Sequence, residues 1–164
     1  MPVSRTILAR SAGSLLAVAA MLGAVTSTSL ADEIKSYAKA GSYADVKLDL
    51  TNAIINQGLK IDYTGDIGGM LSRTGADVGS TKPVYKSAEF MTFCSARLSR
   101  AMMEADAQNM GACPYVVFIY ETAAKPGEVV VGYRRPGSRG DDASKKALAE
   151  VDALLDTIVK DATQ

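Results

Sequence analysis

The sequence predicts an α+β domain, a two-layer sandwich in which one mixed β-sheet carries its helices mainly on one face. Two observations favour this fold class. Segments with helical spacing of apolar residues alternate along the chain with short apolar or alternating runs typical of strands. The 164-residue chain is 48% hydrophobic and 22% charged, which is the composition of a folded globular protein.

The first half of the domain is predicted to hold two strands and a helix. A short strand is expected over residues 34–38. Ser42 then has the character of a helix N-cap, with Asp45 three residues on, and Gly58 ends the helix. Residues 59–64 alternate between apolar and polar side chains, which predicts a half-buried strand.

The second half is predicted to add three strands and two helices. Strands are expected over 84–93, 115–120 and 128–134, with one continuous helix over 95–109 between the first two. The run 115–120 is apolar without alternation, which predicts a central strand covered on both faces. The last helix has the clearest apolar stripe in the chain, formed by Leu148, Val151, Leu155 and Ile158.

The first 31 residues are typical of a secretory signal. Two arginines and no acidic residue precede an apolar run, and small residues close the segment at Ser29 and Ala31. The apolar run is short for a membrane span, so we expect cleavage and no stable membrane insertion afterwards. The sequence therefore predicts a periplasmic protein with a single domain over residues 32–164.

Charge and composition exclude several functions. The chain has 18 basic and 18 acidic residues, so there is no basic surplus for non-specific nucleic-acid binding. It contains no histidine, which excludes a Ser-His-Asp triad, a Cys-His dyad and histidine-ligated zinc or haem within this chain. Covalent c-type haem is also excluded, because there is no Cys-x-x-Cys-His motif.

Cys94 and Cys113, the two cysteines of the chain, are the main candidate site. Two cysteines in an exported protein suggest a disulfide. However, a continuous helix of about 14 residues between them is about 21 Å long, which predicts that they lie at opposite ends of the layer. Three interpretations stay open: an intrachain disulfide, two inert buried thiols, or thiols with a ligand or redox role.

The position of each cysteine favours thiolate chemistry. Cys94 directly precedes the start of a helix at Ser95, where free amides and the helix dipole stabilise a thiolate as a nucleophile or metal ligand. Cys113 precedes Pro114, a pair similar to the short motif with which some haem-responsive proteins ligate iron.

Met103 and Met110 are candidate soft ligands beside the thiols. They are seven residues apart, so on one continuous helix they share a face. Thiolates and thioethers favour Cu(I), so copper is one candidate cofactor and haem is another, although the sequence identifies neither. In either case Cys94 and Cys113 are the candidate metal ligands, and the two methionines belong to the cofactor site. The competing interpretation is that the thioethers pack in an interface or a pocket.

Three segments, 90–106, 112–121 and 129–134, resemble the bacterial domain-of-unknown-function 302 family, and the likeness extends over about residues 44–135. Its markers are a cysteine that opens the helix and a cysteine beside a proline that opens the next strand. The order Cys113-Pro114 suggests an exported two-cysteine branch. The resemblance implies a two-layer domain that pairs as a homodimer, and it implies no established activity, substrate or cofactor.

Three functions are compatible with these residues. The first is a non-enzymatic periplasmic module that binds a small ligand, a metal, a redox cofactor or a redox partner through Cys94 and Cys113. The second is a thiol-based enzyme or carrier that acts on sulfur compounds with Cys94 as the nucleophile. The third is a structural or partner-binding protein with inert thiols.

Overall fold

Five strands form one antiparallel sheet in the computed structural model of the chain, which describes residues 33–164. The strands are β1 (Ile34–Ala40), β2 (Tyr63–Asp66), β3 (Tyr85–Phe93), β4 (Tyr115–Thr122) and β5 (Glu128–Arg134). Their spatial order is β1-β5-β4-β3-β2, and every neighbouring pair is antiparallel. The predicted α+β fold is therefore confirmed, but the sheet is antiparallel rather than mixed.

Within residues 33–164, four α-helices and one 3₁₀ helix connect these strands or follow them. They are α1 (Tyr43–Asn56), α2 (Ile67–Thr74), α3 (Ala96–Ala105), the 3₁₀ helix (Ala107–Ala112) and α4 (Asp142–Asp161). Each α-helix follows a Ser or Asp whose side chain accepts a hydrogen bond from the backbone N–H three residues on. These caps are Ser42, Asp66, Ser95 and Asp141. Among the helices of the described region, none is long and apolar enough to cross a membrane.

The hydrophobic core lies between one face of the sheet and helices α1, α3 and α4. The stripe predicted on the last helix is confirmed, because its members are at most 1% exposed. These residues are Leu148, Val151, Leu155 and Ile158. Sheet residues such as Val117, Val131 and Tyr133 are fully buried beneath the helices. Burial of this apolar surface is the main favourable term in folding, so the covered face holds most of the stability.

A polar cluster fastens the edge strand β1 to α4. The Tyr37 hydroxyl donates to the Asp156 carboxylate at 2.7 Å, and the Nζ atoms of Lys35 and Lys160 each lie 2.8 Å from it. Burial alone would raise the pKa of Asp156, but these three donors outweigh it and hold the pKa well below its ordinary value. The carboxylate is therefore charged and stabilises the folded state at neutral pH.

A buried carboxylate closes the β4–β5 hairpin. Glu121 is 2% exposed. Its carboxylate accepts a hydrogen bond from the Gly127 N–H at 2.7 Å and forms an ion pair with Lys86 at 3.0 Å. These two donors lower the pKa of Glu121. Gly127 has a φ of +87°, a conformation that glycine adopts without a steric penalty.

The three predictions for the N-terminal half of the chain have different outcomes. The strand expected over 59–64 starts later, at Tyr63, because Leu59 and Ile61 pack against the core before the chain joins the sheet. The strand expected over 34–38 is confirmed as β1. The predicted signal segment, residues 1–31, lies outside the described residues.

Candidate functional site: the disulfide and the open face of the sheet

Cys94 and Cys113 are joined in a disulfide, with their Cα atoms 6.4 Å apart. The prediction that a helix length separates them was wrong. Strands β3 and β4 are antiparallel neighbours, and Phe93, the last residue of β3, lies opposite Tyr115, the first residue of β4. The chain therefore leaves and re-enters the sheet at the same end, which places the two cysteines side by side.

A break in the predicted helix over 95–109 is the second reason why the two cysteines lie side by side. Helix α3 ends at Ala105, and Asp106 adopts extended backbone angles of φ −155° and ψ 119°. The Asp106 carboxylate then accepts a hydrogen bond from the Gln108 N–H and caps the 3₁₀ helix. This break turns the chain back toward β3. An aspartate that can cap a new helical turn is the sequence signal for it.

The disulfide removes the premise of the predicted thiol chemistry. Each sulfur is bonded to the other, so in this state neither cysteine is a thiolate that could ligate copper or haem iron, and Cys94 is not a nucleophile. Over residues 33–164, no group of three or more His, Cys, Asp or Glu side chains is placed to hold a metal ion. The proposed sites at Cys94 and Cys113 assumed separate, free thiols, which the structure does not contain.

Polar and aromatic neighbours surround the disulfide at the start of α3. The Ser99 hydroxyl lies 3.7 Å from the Cys113 sulfur and 3.1 Å from the Tyr115 hydroxyl. The Tyr115 ring packs edge-on against Phe93, and burial raises the pKa of its phenol. The disulfide thus fastens α3 and the 3₁₀ helix to the end of the β3–β4 pair.

Met103 and Met110 do not share a helix face. Met103 lies on α3 and packs against the core, whereas Met110 lies on the 3₁₀ helix and is 70% exposed. The break at Asp106 separates the two elements. A spacing of seven residues therefore does not place the two side chains on one helix face. The predicted pair of thioether ligands is therefore wrong as a helix-face arrangement.

The face of the sheet that points away from the core, called the open face below, carries half-buried apolar side chains. Val117 and Ile119 of β4 are fully buried under the helices, whereas the alternate residues Phe118 and Tyr120 are only half-buried. The prediction that this strand is covered on both faces was therefore wrong for the described part of the chain. The uncovered part of this face consists of Ile34, Ser36, Ala38, Phe90, Val116, Phe118, Tyr120, Val130 and Gly132. Ala88 of β3 points to the same side but is 6% exposed, and it lies beside Gly68 of α2.

Two glycines keep this face flat. A Cβ atom at Gly132 or Gly65 would collide with the ring of Phe118 or Phe90, respectively, so each ring lies down over a glycine. The rings of Phe118 and Tyr120 are nearly parallel, with an interplanar angle of 17° and centroids 6.1 Å apart. The result is an aromatic surface with a shallow groove of about 320 Å³. Sequence reasoning missed this surface, although the alternation of exposure along β1 and β4 is its structural signature.

The fold and these features define a class: an α+β domain with helices α1, α3 and α4 on one face of an antiparallel sheet and with most of the other face open. The family model described as "Domain of unknown function DUF302" matches residues 34–162, and the chain belongs to this family. The resemblance inferred from the sequence is thus confirmed.

The fold is similar to that in the crystal structure of an uncharacterized conserved DUF302 protein from Bacillus stearothermophilus. The match has a TM-score of 0.65 at 12% sequence identity and covers 79% of this chain and 98% of that chain. A likeness at this identity shows the fold alone. No curated protein matches the chain.

Proposed function

We propose that this protein is a non-enzymatic binding domain, exported to the periplasm, that works as a homodimer paired through the open face. The observation that carries the proposal is the open face itself, which presents uncharged side chains from four adjacent strands. Contiguous apolar surface of this kind is typical of protein–protein contacts. The N-terminal sequence supports export, and a structural disulfide is typical of an oxidising compartment.

The size of the open face suits a second copy of the same chain. Strands lie about 4.8 Å apart and rise about 3.4 Å per residue, so four strands of seven residues present on the order of 500 Å². Two such faces bury about 1,000 Å² in total, which is the lower range for a specific interface. A dimer of modest affinity is therefore expected.

The pattern of side-chain sizes suits the stacking of two open faces on each other. The two-fold axis that relates the copies would lie in the interface, perpendicular to the strands. Such an axis places each β5 strand over its copy in the reverse direction, so that Val130 faces Gly132 of the other copy. By the same symmetry Phe118 faces Tyr120, because these residues pair with Gly132 and Val130 in the sheet. The arrangement sets a large side chain against a small one on β5 and aromatic rings against each other on β4.

The charges at the rim are compatible with this arrangement. Arg134 and Glu128 lie at opposite ends of β5, and both are on the same side of the sheet as Val130 and Gly132. Reversal of the strand direction sets Arg134 of one copy near Glu128 of the other, so these two rim charges do not repel each other.

The test is sedimentation velocity of the oxidised protein over a range of concentrations. The wild type is expected to dimerise, and Phe118→Arg is expected to weaken the dimer at least about a hundredfold, because two unpaired charges would be buried at its centre. Ile55→Arg is the matched control, since Ile55 is an apolar residue of α1 that is 55% exposed and lies away from the open face. A wild type that stays monomeric at about 100 μM, or equal losses in the two variants, would contradict the proposal.

A further inference from the structure

We infer that a cleft at the end of the sheet, beside the disulfide, is a binding site for a small organic monocarboxylate. The cleft has a volume of about 260 Å³ and lies where β4 begins and β5 ends. Its lining includes Pro114, Val116, Arg134 and Arg139 together with parts of the 3₁₀ helix and of the loop after β5. The cleft shares Val116 and Arg134 with the edge of the open face, so its ligand binding is measured in both the wild type and the Phe118→Arg variant, in which pairing is weakened.

A buried network holds the Arg139 guanidinium at the cleft. Its Nε donates to the Asn109 side-chain oxygen at 3.1 Å, and its Nη1 donates to the Pro136 carbonyl at 3.4 Å. Asn109 is itself fully buried and donates at 2.8 Å to both the Met102 carbonyl and the Ser144 hydroxyl. These partners are neutral, so they orient the guanidinium without neutralising its charge.

The neighbouring arginines differ in how they are paired. Arg135 makes a two-pronged ion pair with Asp152, at 2.9 and 3.0 Å, and its charge is thereby compensated. Arg134 is exposed, and it makes no ion pair with any residue of the described chain. Arg134 and Arg139 are therefore the two guanidinium groups that the cleft offers to an anion.

The charge balance favours a ligand with a single negative charge. Three arginines and the carboxylate of Glu33 line the cleft, and Asp152 neutralises one arginine from outside it. A surplus of one positive charge remains. A planar carboxylate fits the fork of a guanidinium group with two parallel hydrogen bonds.

The rest of the lining favours an apolar body on the ligand. Pro114, Val116 and Leu155 supply apolar surface, while Gly111 and Gly137 leave the backbone uncovered. A pocket with a few fixed polar groups and an apolar wall is the usual form of a small-molecule site. The disulfide holds this wall in place, because Cys113 joins the 3₁₀ helix to Pro114.

The test is a titration of the oxidised, ¹⁵N-labelled protein with benzoate, followed by amide and arginine side-chain chemical shifts. Benzoate is expected to bind with a Kd of about 1 mM and to shift the resonances of Gly111, Gly137 and Arg139. Benzyl alcohol and benzylamine, which lack the negative charge, are expected to leave them unchanged. Inorganic phosphate is expected to bind at least about tenfold more weakly, because it lacks the apolar body.

Variants separate a specific site from general attraction of anions. Arg134→Gln and Arg139→Gln are each expected to weaken benzoate binding about tenfold, the usual effect of losing a charge-assisted hydrogen bond. Arg139→Lys keeps the charge but loses the fork, and it is expected to recover only part of the affinity. Arg100→Gln is the control, since Arg100 is exposed on α3 and pairs with Glu104.

Three results would overturn the inference. One is the absence of shifts around the cleft at 50 mM benzoate, about fifty times the expected Kd. Another is equal binding of benzoate by the Arg134→Gln, Arg139→Gln and Arg100→Gln variants. The third is tighter binding of phosphate than of benzoate, which would show that the cleft selects charge alone.

Discussion

Strand β5 presents two different environments within one step along the chain. Val131 is fully buried beneath the helices, whereas Val130, the residue before it, lies on the open face and is half-buried. Both are valines in the same strand, and both lie between the same neighbouring strands, β1 and β4. The difference in environment therefore comes entirely from what covers each face.

The two faces also differ in their polar interactions. On the covered face, the Asp156 cluster ties β1 to α4, and Lys47 of α1 forms an ion pair with Glu89 of β3. On the open face, the side chains between the rims are uncharged. The covered face is thus held by helices α1, α3 and α4, while α2 contacts the open face only at the β3 end, beside Ala88. This contrast is the basis of the proposal that one face of the sheet serves folding and the other serves association.

The largest expected effect concerns the disulfide that fastens the covering helix α3 to the sheet. Replacing both Cys94 and Cys113 with alanine is expected to lower the free energy of unfolding by about 3 kcal/mol, because the bond closes a loop with a sequence separation of 19. Urea denaturation measures the loss. Wild-type protein treated with dithiothreitol should lose the same amount, and the double variant should not respond to the reductant. A loss below about 1 kcal/mol would mean that the covering layer does not depend on this bond.

A pair of neighbouring substitutions tests the two faces directly. Val131→Ala is expected to cost about 2 kcal/mol, because it removes buried methyl groups and leaves a cavity under the helices. Val130→Ala is expected to cost less than about 0.5 kcal/mol in the monomer. Denaturation at low protein concentration, where pairing is negligible, measures both. Equal losses would show that the open face is covered within the monomer.

The smallest effect is the acid sensitivity of the covered face. The folded-state pKa of Asp156 lies below its unfolded value of about 3.9, so its stabilisation is fully present above that pH and is lost as the pH falls toward the folded value. Acidification from pH 7 to pH 3 is expected to remove about 1 kcal/mol through this group. Asp156→Asn should flatten this part of the pH profile, whereas Asp77→Asn, at an exposed position, should not. An unchanged profile in Asp156→Asn would contradict the assignment.

The local features of the fold could be predicted from the sequence. Ser42 and the stripe on α4 gave correct helix positions, because capping and apolar spacing act over a few residues. The pairing of the cysteines could not be predicted in this way. It depends on the antiparallel contact between β3 and β4 and on the break at Asp106, and the residues after Asp106 continue a composition compatible with a helix. Strand direction is a non-local property that spacing alone does not encode.

The open face escaped prediction for a different reason. An apolar run such as 115–120 indicates that both sides of a strand avoid water, but it does not indicate which molecule covers each side. The arginine cleft combines residues from the 3₁₀ helix, from β4 and from the loop after β5, so its members are scattered in the sequence. Arg134 and Arg139 lie five residues apart in the sequence, whereas Asn109, the neutral partner of Arg139, lies 30 residues before it.

The absence of a side chain at position 132 has a consequence for the shape of the whole surface. A methyl group there would meet the Lys35 carbonyl oxygen and the Ser36 Cβ, each at 2.7 Å, as well as the Phe118 ring. To make room, the phenyl ring would have to turn away from the sheet, and the backbone of β1 at Lys35 would have to shift as well. The smooth surface and the close approach of β1 to β5 therefore both depend on the missing methyl group at this position.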